Sequence, residues 1–359
     1  MISHSRRSLF ALSLGLLGTS LISASAADTG PGLHFAGKEG PGKGKKIVFL
    51  AGDEEYRSEE SLPMLAKILS QTHGFDCTVL FSVDPEKGYI DPNNGKNIPG
   101  TEALADADLM ILALRFRDLP PEQTQPITDF LNAGKPVIGL RTSTHAFNGK
   151  MATGDWKYNQ FGLNILGETW VAHHGAHKKE GARGVIEADN ANHSMLNGVM
   201  DVFAPSDVYT VKNLKGDETI LLRGAVTETL DPSSKPITGP KNSPMQALAW
   251  IHDYTGPNGT AKGQAFCTTA GAAVDLMSED LRRLVVNAAY YLTGMNVPER
   301  ADVTFIDPYY PSFFGFIKDP TYWSGRNLKP ADFALGKSPA ASDPAGSPEW
   351  PFRELDPKP

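Results

Sequence analysis

The sequence of 359 residues has little cysteine, no membrane-length apolar run and no basic stripe, and each shortage excludes a class of protein. Its two cysteines, Cys77 and Cys267, exclude a disulfide scaffold, and both stand in apolar runs that predict buried free thiols. No apolar run reaches the ~20 residues that span a bilayer, so we expect no membrane anchor. Acidic residues outnumber basic ones by 41 to 34, and no cluster of lysine and arginine could follow a phosphate backbone. We therefore expect no nucleic-acid partner.

The first 26 residues have the pattern of an export signal. Arg6 and Arg7 precede an apolar run at 9–22, and Ala24, Ser25 and Ala26 form a small-residue cleavage pattern. The paired arginines resemble the twin-arginine export motif, although ordinary signal peptides also begin with basic residues. We expect a signal peptide over 1–26 and a periplasmic or extracellular mature protein.

The rest of the chain divides into a linker, an α/β domain and an arm. Residues 27–45 are rich in glycine and lysine without periodicity, which predicts a linker. From residue 46, apolar runs alternate with helical patterns, which predicts a doubly wound, mostly parallel sheet with helices on both faces. The predicted strands lie at 47–50, 77–81, 109–114, 136–140, 184–187, 208–211, 219–222, 247–251 and 265–268. Residues 297–359 are rich in proline and aromatic side chains, which predicts an extended arm packed on the domain to about 335 and a looser tail over 336–359.

Three loops after predicted parallel strands carry polar side chains that could bind a ligand. Ligands of open α/β sheets bind beyond the carboxyl ends of the strands, so these loops predict a pocket for hydroxyl, carbonyl or carboxylate oxygens. The alternative is that the arginines pair with neighbouring carboxylates in an ion-pair network. The candidate side chains are Glu54, Tyr56, Arg57, Arg115, Arg117, Arg141, Thr142, Thr144 and His145.

A second candidate site is the histidine cluster at His173, His174 and His177, with Trp170 just before it. Histidine titrates near neutrality and binds metals, so the cluster suits proton transfer, hydrogen bonding or metal binding. The spacing is not that of a zinc-binding helix, so we predict no cofactor and keep a metal at these three histidines as the weaker alternative. The turn at 139–145 does not match a nucleophile elbow, so a Ser143 or Thr142 nucleophile is not favoured.

Four segments together resemble one known family. Residues 46–61, 139–147, 167–175 and 275–284 are similar to the ThuA-like (trehalose-utilisation) family, and the similarity covers residues 46–296. The resemblance implies the fold of class I glutamine amidotransferases, a flavodoxin-like arrangement, and a role in carbohydrate metabolism. Its proposed substrates are disaccharides or glycosides oxidised to keto forms. The turn at 141–145 lacks the amidotransferase cysteine, so glutaminase activity is not implied.

The residues and the resemblance together predict an exported hydrolase or lyase acting on keto-sugar glycosides. Many relatives carry a histidine near the last strand that is missing from 267–273, so acid/base work must fall to His145 or to the 173–177 cluster. We expect His145 or His174 to abstract a proton beside the carbonyl, and the other to protonate the leaving oxygen. The expected partners are a small carbohydrate and a sugar dehydrogenase acting upstream. The alternatives are a sugar-binding module without catalysis and a metal-dependent hydrolase.

Overall fold

The computed structural model describes Met1 and residues 31–348, and the elements named here belong to that part of the chain. The strands are β1 (Leu33–Phe35), β2 (Lys46–Gly52), β3 (Asp76–Phe81), β4 (Leu109–Leu114), β5 (Val137–Leu140), β6 (Ala152–Thr153), β7 (Trp156–Lys157), β8 (Ala182–Ile186), β9 (Phe203–Ala204), β10 (Thr219–Val226), β11 (Gln246–Thr255) and β12 (Lys262–Thr268). The α-helices are α1 (Ser58–Gln71), α2 (Pro121–Asn132), α3 (Glu279–Leu292) and α4 (Tyr322–Arg326). No helix among the described residues is long and apolar enough to cross a membrane.

Ten strands form one mixed sheet in the order β1-β3-β2-β4-β5-β12-β11-β10-β8-β9, and β6 pairs with β7 separately. Strands β3, β2, β4, β5 and β12 run parallel to one another. Strands β11, β10, β8 and β9 continue the sheet in antiparallel fashion, and β1 pairs antiparallel with β3 at the opposite edge. The predicted α/β fold is confirmed, and five parallel strands continue into an antiparallel half.

Helices cover both faces of the sheet because the parallel strands are apolar on both faces. In β2, Phe49 points into one core and Leu50 into the other, and both are fully buried. The apolar sides of α1 and α3 pack in the first core, while α2 packs in the second. This two-sided covering is the doubly wound arrangement that the alternating strands and helices predict.

The parallel strands end along a common edge, which brings the predicted site loops together. Gly52 at the end of β2 pairs with Leu114 at the end of β4, and Leu140 of β5 pairs with Thr268 of β12. The residues that follow these four strands therefore share one surface of the domain. This is the edge at which open α/β sheets bind their ligands.

The structure differs from the sequence predictions in several segments. The predicted linker at 27–45 contains strand β1, and the predicted strand at 208–211 is a single bridge between Tyr209 and His173. Both cysteines are buried and unpaired, as predicted. Apart from Met1, the predicted signal peptide lies outside the described residues, as do residues 349–359 of the predicted tail.

The carboxyl-terminal arm packs over α1 through a buried carboxylate. Glu60 accepts hydrogen bonds from the Ser312 amide at 2.8 Å, the Ser312 hydroxyl at 2.7 Å and the Ala341 amide at 2.6 Å. Lys67, also on α1, pairs with Asp307 at 2.6 Å and donates to the Lys337 carbonyl. The packed part of the arm therefore extends beyond 335, into the segment predicted to be loose.

Glu60→Ala should release the arm and lower the free energy of unfolding. The substitution leaves three donors without their acceptor, a cost of about 2–4 kcal/mol. Urea unfolding followed by fluorescence measures this loss, and the matched control is Glu102→Ala at an exposed position. Equal stability of the two variants would show that Glu60 does not anchor the arm.

Candidate functional site

The centre of the site is Asp207, a buried carboxylate between β9 and β10. Its Oδ2 lies 2.7 Å from Nδ1 of His173, and its Oδ1 lies 2.9 Å from Nδ1 of His177. Burial by itself would raise the pKa of Asp207, but Arg141 and the hydrogen bonds from both histidines outweigh it and hold this pKa well below its usual value. Because an ionised carboxylate only accepts hydrogen bonds, both imidazoles donate from Nδ1. Asp207 therefore fixes the orientation of both rings.

Arg141 holds Asp207 in place instead of binding substrate as predicted. The Arg141 side chain is 1% exposed, and its Nη2 lies 3.2 Å from Asp207 Oδ1 and 3.1 Å from the Tyr56 hydroxyl. Its Nη1 donates to the backbone carbonyls of Asp207 and Thr269 at 2.6 and 2.7 Å. The guanidinium also lies 3.8 Å from the centroid of the Tyr209 ring. These internal contacts correct the predicted roles of Arg141 and Tyr56 in substrate binding, since both point into the protein.

Three residues at this edge have left-handed backbone conformations that side chains other than glycine rarely adopt. Arg57 has φ 61°, Phe116 has φ 48° and Arg141 has φ 46°. All three lie in the loops that follow β2, β4 and β5. Such conformations cost of order 1–3 kcal/mol each and concentrate at functional sites, where surrounding contacts maintain them. Their coincidence at one edge supports the placement of the site here.

The other predicted arginines are mostly used in internal contacts, as the ion-pair alternative anticipates. Glu54 lies 2.5 Å from both Arg115 Nη1 and Arg117 Nη2. Arg117 also donates to the Pro92 carbonyl at 3.0 Å, and Arg57 is fully buried with its Nη1 on the Glu54 carbonyl. These contacts occupy Glu54, Arg57 and Arg117 within the protein.

Arg115 remains available to a ligand. Its side chain is 21% exposed and lies between the rings of Phe116 and Phe316, at 5.0 and 4.9 Å from their centroids. The hydroxyls of the next loop turn inward: Thr142 donates to buried Asp53, and Thr144 lies 3.3 Å from His145 Nδ1. Those two threonines therefore support the site instead of contacting substrate.

Glu55 is a site residue that the sequence reasoning missed. Its Oε1 lies 3.5 Å from His177 Nε2, and its Oε2 lies 3.5 Å from Arg115 Nε. Burial and the nearby Asp53 carboxylate raise the pKa of Glu55 to about 7. In the sequence it stands among several acidic residues, and no local pattern distinguishes it from them.

His145 faces an open cavity of about 400 Å³, lined also by Phe116, Asn148 and Trp170. Its ring centroid lies 4.8 Å from that of Phe116 and 5.8 Å from that of Trp170, which in turn lies 5.9 Å from that of His173. The cavity and the Asp207 cluster therefore meet at Trp170. Burial, then the charges of Arg115 and Arg141, lower the pKa of His145 to about 3. His145 is consequently neutral near pH 7.

His174 does not join the other histidines. Its amide donates to the Val208 carbonyl at 2.8 Å, and its Nε2 lies 2.7 Å from the Lys241 carbonyl. Neighbouring residues of extended backbone direct their side chains to opposite sides, so His173 reaches Asp207 while His174 turns away. The structure therefore does not bring His174 to the Asp207 cluster.

Within residues 31–348, one group of side chains could hold a metal ion. Single donor atoms of His173, His177 and Asp207 all lie within 4.8 Å of one another. The set differs from the sequence alternative of His173, His174 and His177, because Asp207 replaces His174.

The solved structures to which the chain is similar include two ThuA-like proteins. One, from Parabacteroides merdae ATCC 43184, is 14% identical with a TM-score of 0.46, and the match covers 71% of this chain and 92% of that one. The other, from Bacteroides uniformis ATCC 8492, is 12% identical with a TM-score of 0.44, and the match covers 71% and 94%. The mmIFT52 N-terminal domain is 11% identical with a TM-score of 0.39, and the match covers 71% and 100%.

No family model matches the chain, and no curated protein matches it. At such low identities the similarity to solved structures concerns the fold alone.

The lowered pKa of His145 should make stability depend on pH. Between the unfolded value near 6.5 and the folded value of about 3, the unfolded chain binds more protons, so stability falls as the pH falls. His145→Gln removes this contribution and should flatten the decline between pH 6.5 and 4 by roughly 2–3 kcal/mol.

Urea unfolding across this pH range measures the effect. Asn148→Ala, a cavity residue that does not titrate, should keep the wild-type slope. A slope in His145→Gln as steep as in wild type would mean that His145 is protonated in the folded protein.

Proposed function

We propose that the chain is a carbohydrate-metabolism enzyme that cleaves keto-sugar glycosides by proton abstraction beside the carbonyl and loss of the glycosidic group. The observation that carries the proposal is the aromatic cavity of His145, whose Trp170 ring lies 5.9 Å from that of His173 and whose Phe116 ring lies 5.0 Å from the Arg115 guanidinium. The resemblance to ThuA-like proteins supports the substrate class. The missing cysteine at 141–145 leaves glutaminase chemistry without its nucleophile.

His145 is the base of the proposed reaction. Its neutral imidazole takes the proton from the carbon next to the keto group, and the electron pair of that C–H bond forms an enolate. The enolate collapses and breaks the bond between the adjacent carbon and the glycosidic oxygen, which leaves with the proton carried by His145. The products are an unsaturated keto sugar and the free leaving-group alcohol. The lowered pKa of His145 keeps its imidazole neutral before the step, and the imidazolium formed gives its proton to the leaving oxygen.

The enolate oxygen needs positive charge or hydrogen-bond donors at the moment it forms. Arg115, which follows β4 and lies against the ring of the cavity residue Phe116, supplies positive charge from a fixed position. Preorganised groups of this kind contribute a few kcal/mol each to the transition state, because they need no rearrangement as charge develops. Arg141, a candidate ligand-binding residue in the sequence, is buried and holds Asp207 in place.

Sugar binding without catalysis is the second candidate function. Trp170, Phe116 and Phe316 are respectively 39%, 45% and 43% exposed around the site, an unusual amount of exposed aromatic surface for one edge of a domain. Aromatic faces of this kind stack on the apolar C–H faces of sugars. Such binding would need none of the histidines.

The proposal also covers the source of the substrate and the location of the protein. A keto-glycoside arises by oxidation of a sugar hydroxyl, so a sugar dehydrogenase must act upstream. The amino-terminal segment over 1–26, with its paired arginines, supports export of the chain to the periplasm or beyond.

Release of free sugar from 3-keto-trehalose and related keto-glycosides tests the function. We expect wild type to release sugar, His145→Gln to lower kcat by at least about 100-fold with little change in KM, and His174→Gln to remain close to wild type. Trp170→Ala should raise KM, since it removes the stacking surface.

Two other results would point elsewhere. Sugar binding by wild type without turnover, weakened by Trp170→Ala alone, selects the binding module. Full activity in His145→Gln excludes His145 as the base.

A further inference from the structure

We propose that His173, His177 and Asp207 form a site for one divalent first-row transition-metal ion, which binds the substrate carbonyl oxygen. The site deepens the proposed function, on which only the carbonyl contact rests. Binding of the ion itself follows from the protein side chains alone.

The donor set fits such an ion in number, type and reach. Two imidazole nitrogens and one carboxylate oxygen lie within 4.8 Å of one another. Metal–ligand bonds of about 2.0–2.2 Å place two ligand atoms on opposite sides of an ion roughly 4 Å apart, so these donor atoms are close enough to share one ion. Two histidines and one carboxylate suit zinc, manganese, iron or cobalt and leave further positions open. Magnesium and calcium favour sites made of oxygen alone.

Two of the proposed ligands are themselves held by neighbouring side chains, as ligands of metal sites usually are. The second ring nitrogen of His177 faces Glu55 Oε1 at 3.5 Å, a carboxylate–histidine pair directed at the proposed ion. Arg141 Nη2 holds Asp207 from behind at 3.2 Å. Its positive charge opposes the ion, while the carboxylates of Asp207 and Glu55 favour it.

The cluster is open on the side where substrate would arrive. The side chains of His173 and His177 are 34% and 27% exposed, whereas Asp207 is fully buried beneath them. Trp170 connects His173 to the cavity of His145 through ring contacts of 5.9 and 5.8 Å. An ion here would polarise a carbonyl beside Trp170 and stabilise the enolate that His145 generates.

The competing explanation of the cluster is a pair of hydrogen bonds and nothing more. Both Nδ1 atoms already donate to Asp207, at 2.7 and 2.9 Å, and an ion would replace those two protons. The two explanations differ in what they predict for metal titration.

Cobalt(II) titration of the untagged full chain, stripped with a chelator, tests the site. Visible absorbance and calorimetry should show one ion per chain with micromolar or tighter affinity, and zinc should displace it. His173→Gln and His177→Gln should each weaken binding at least tenfold. His174→Gln, the adjacent histidine outside the cluster, should bind as wild type does. Circular dichroism and thermal melting confirm that each variant is folded.

Absence of binding by wild type, or unchanged affinity in both cluster variants, would overturn the metal site in favour of hydrogen bonds alone. Keto-glycoside turnover separates this failure from that of the proposed function. Turnover that persists in the stripped protein contradicts the carbonyl contact and leaves the function standing. Binding at the predicted ligands without turnover supports the metal site and contradicts the function.

Discussion

The arrangement of the site depends on the buried ion pair between Arg141 and Asp207. Arg141 follows β5 in the parallel half of the sheet, and Asp207 precedes β10 in the antiparallel half, so the pair joins the two halves at the site edge. A buried charge is tolerated only when it is paired and hydrogen-bonded. Arg141 gives Asp207 both a charge partner and a hydrogen bond, which keeps Asp207 ionised. The ionised carboxylate then orients His173 and His177.

The fold places the remaining groups around this pair. Strands β2, β4 and β5 end at a common edge, and a left-handed residue after each turns the chain sharply. The carboxyl-terminal arm adds another wall: the Gly315 amide donates to the Glu55 carbonyl at 2.8 Å, and Phe316 packs on Arg115. The arm thus contributes to the site as well as to the packing of α1.

Sequence patterns predicted the parallel strands well, because continuous apolar runs such as 47–50 are typical of strands covered on both faces. They also located the loops and the histidine cluster. They could not separate His173 from His174, since the direction of each side chain depends on the bridge to Tyr209. Asp207 was missed because it lies 30 residues after His177 in a stretch without regular secondary structure. No local sequence pattern indicates which distant residue will contact a histidine in the fold. Arg141 was predicted to bind substrate because the sequence does not show that contacts from several elements bury its side chain.

The proposed reaction requires that His173 and His177, which Asp207 orients, face the same bound sugar as His145. A crystal structure with a keto-glycoside analogue that cannot be cleaved tests it most directly. The account predicts the ring of the sugar beside Trp170, its carbonyl oxygen at the Asp207 cluster and its acidic C–H bond toward His145. A sugar bound elsewhere would contradict it, for example in the cavity of about 360 Å³ beside Phe130 and Lys135.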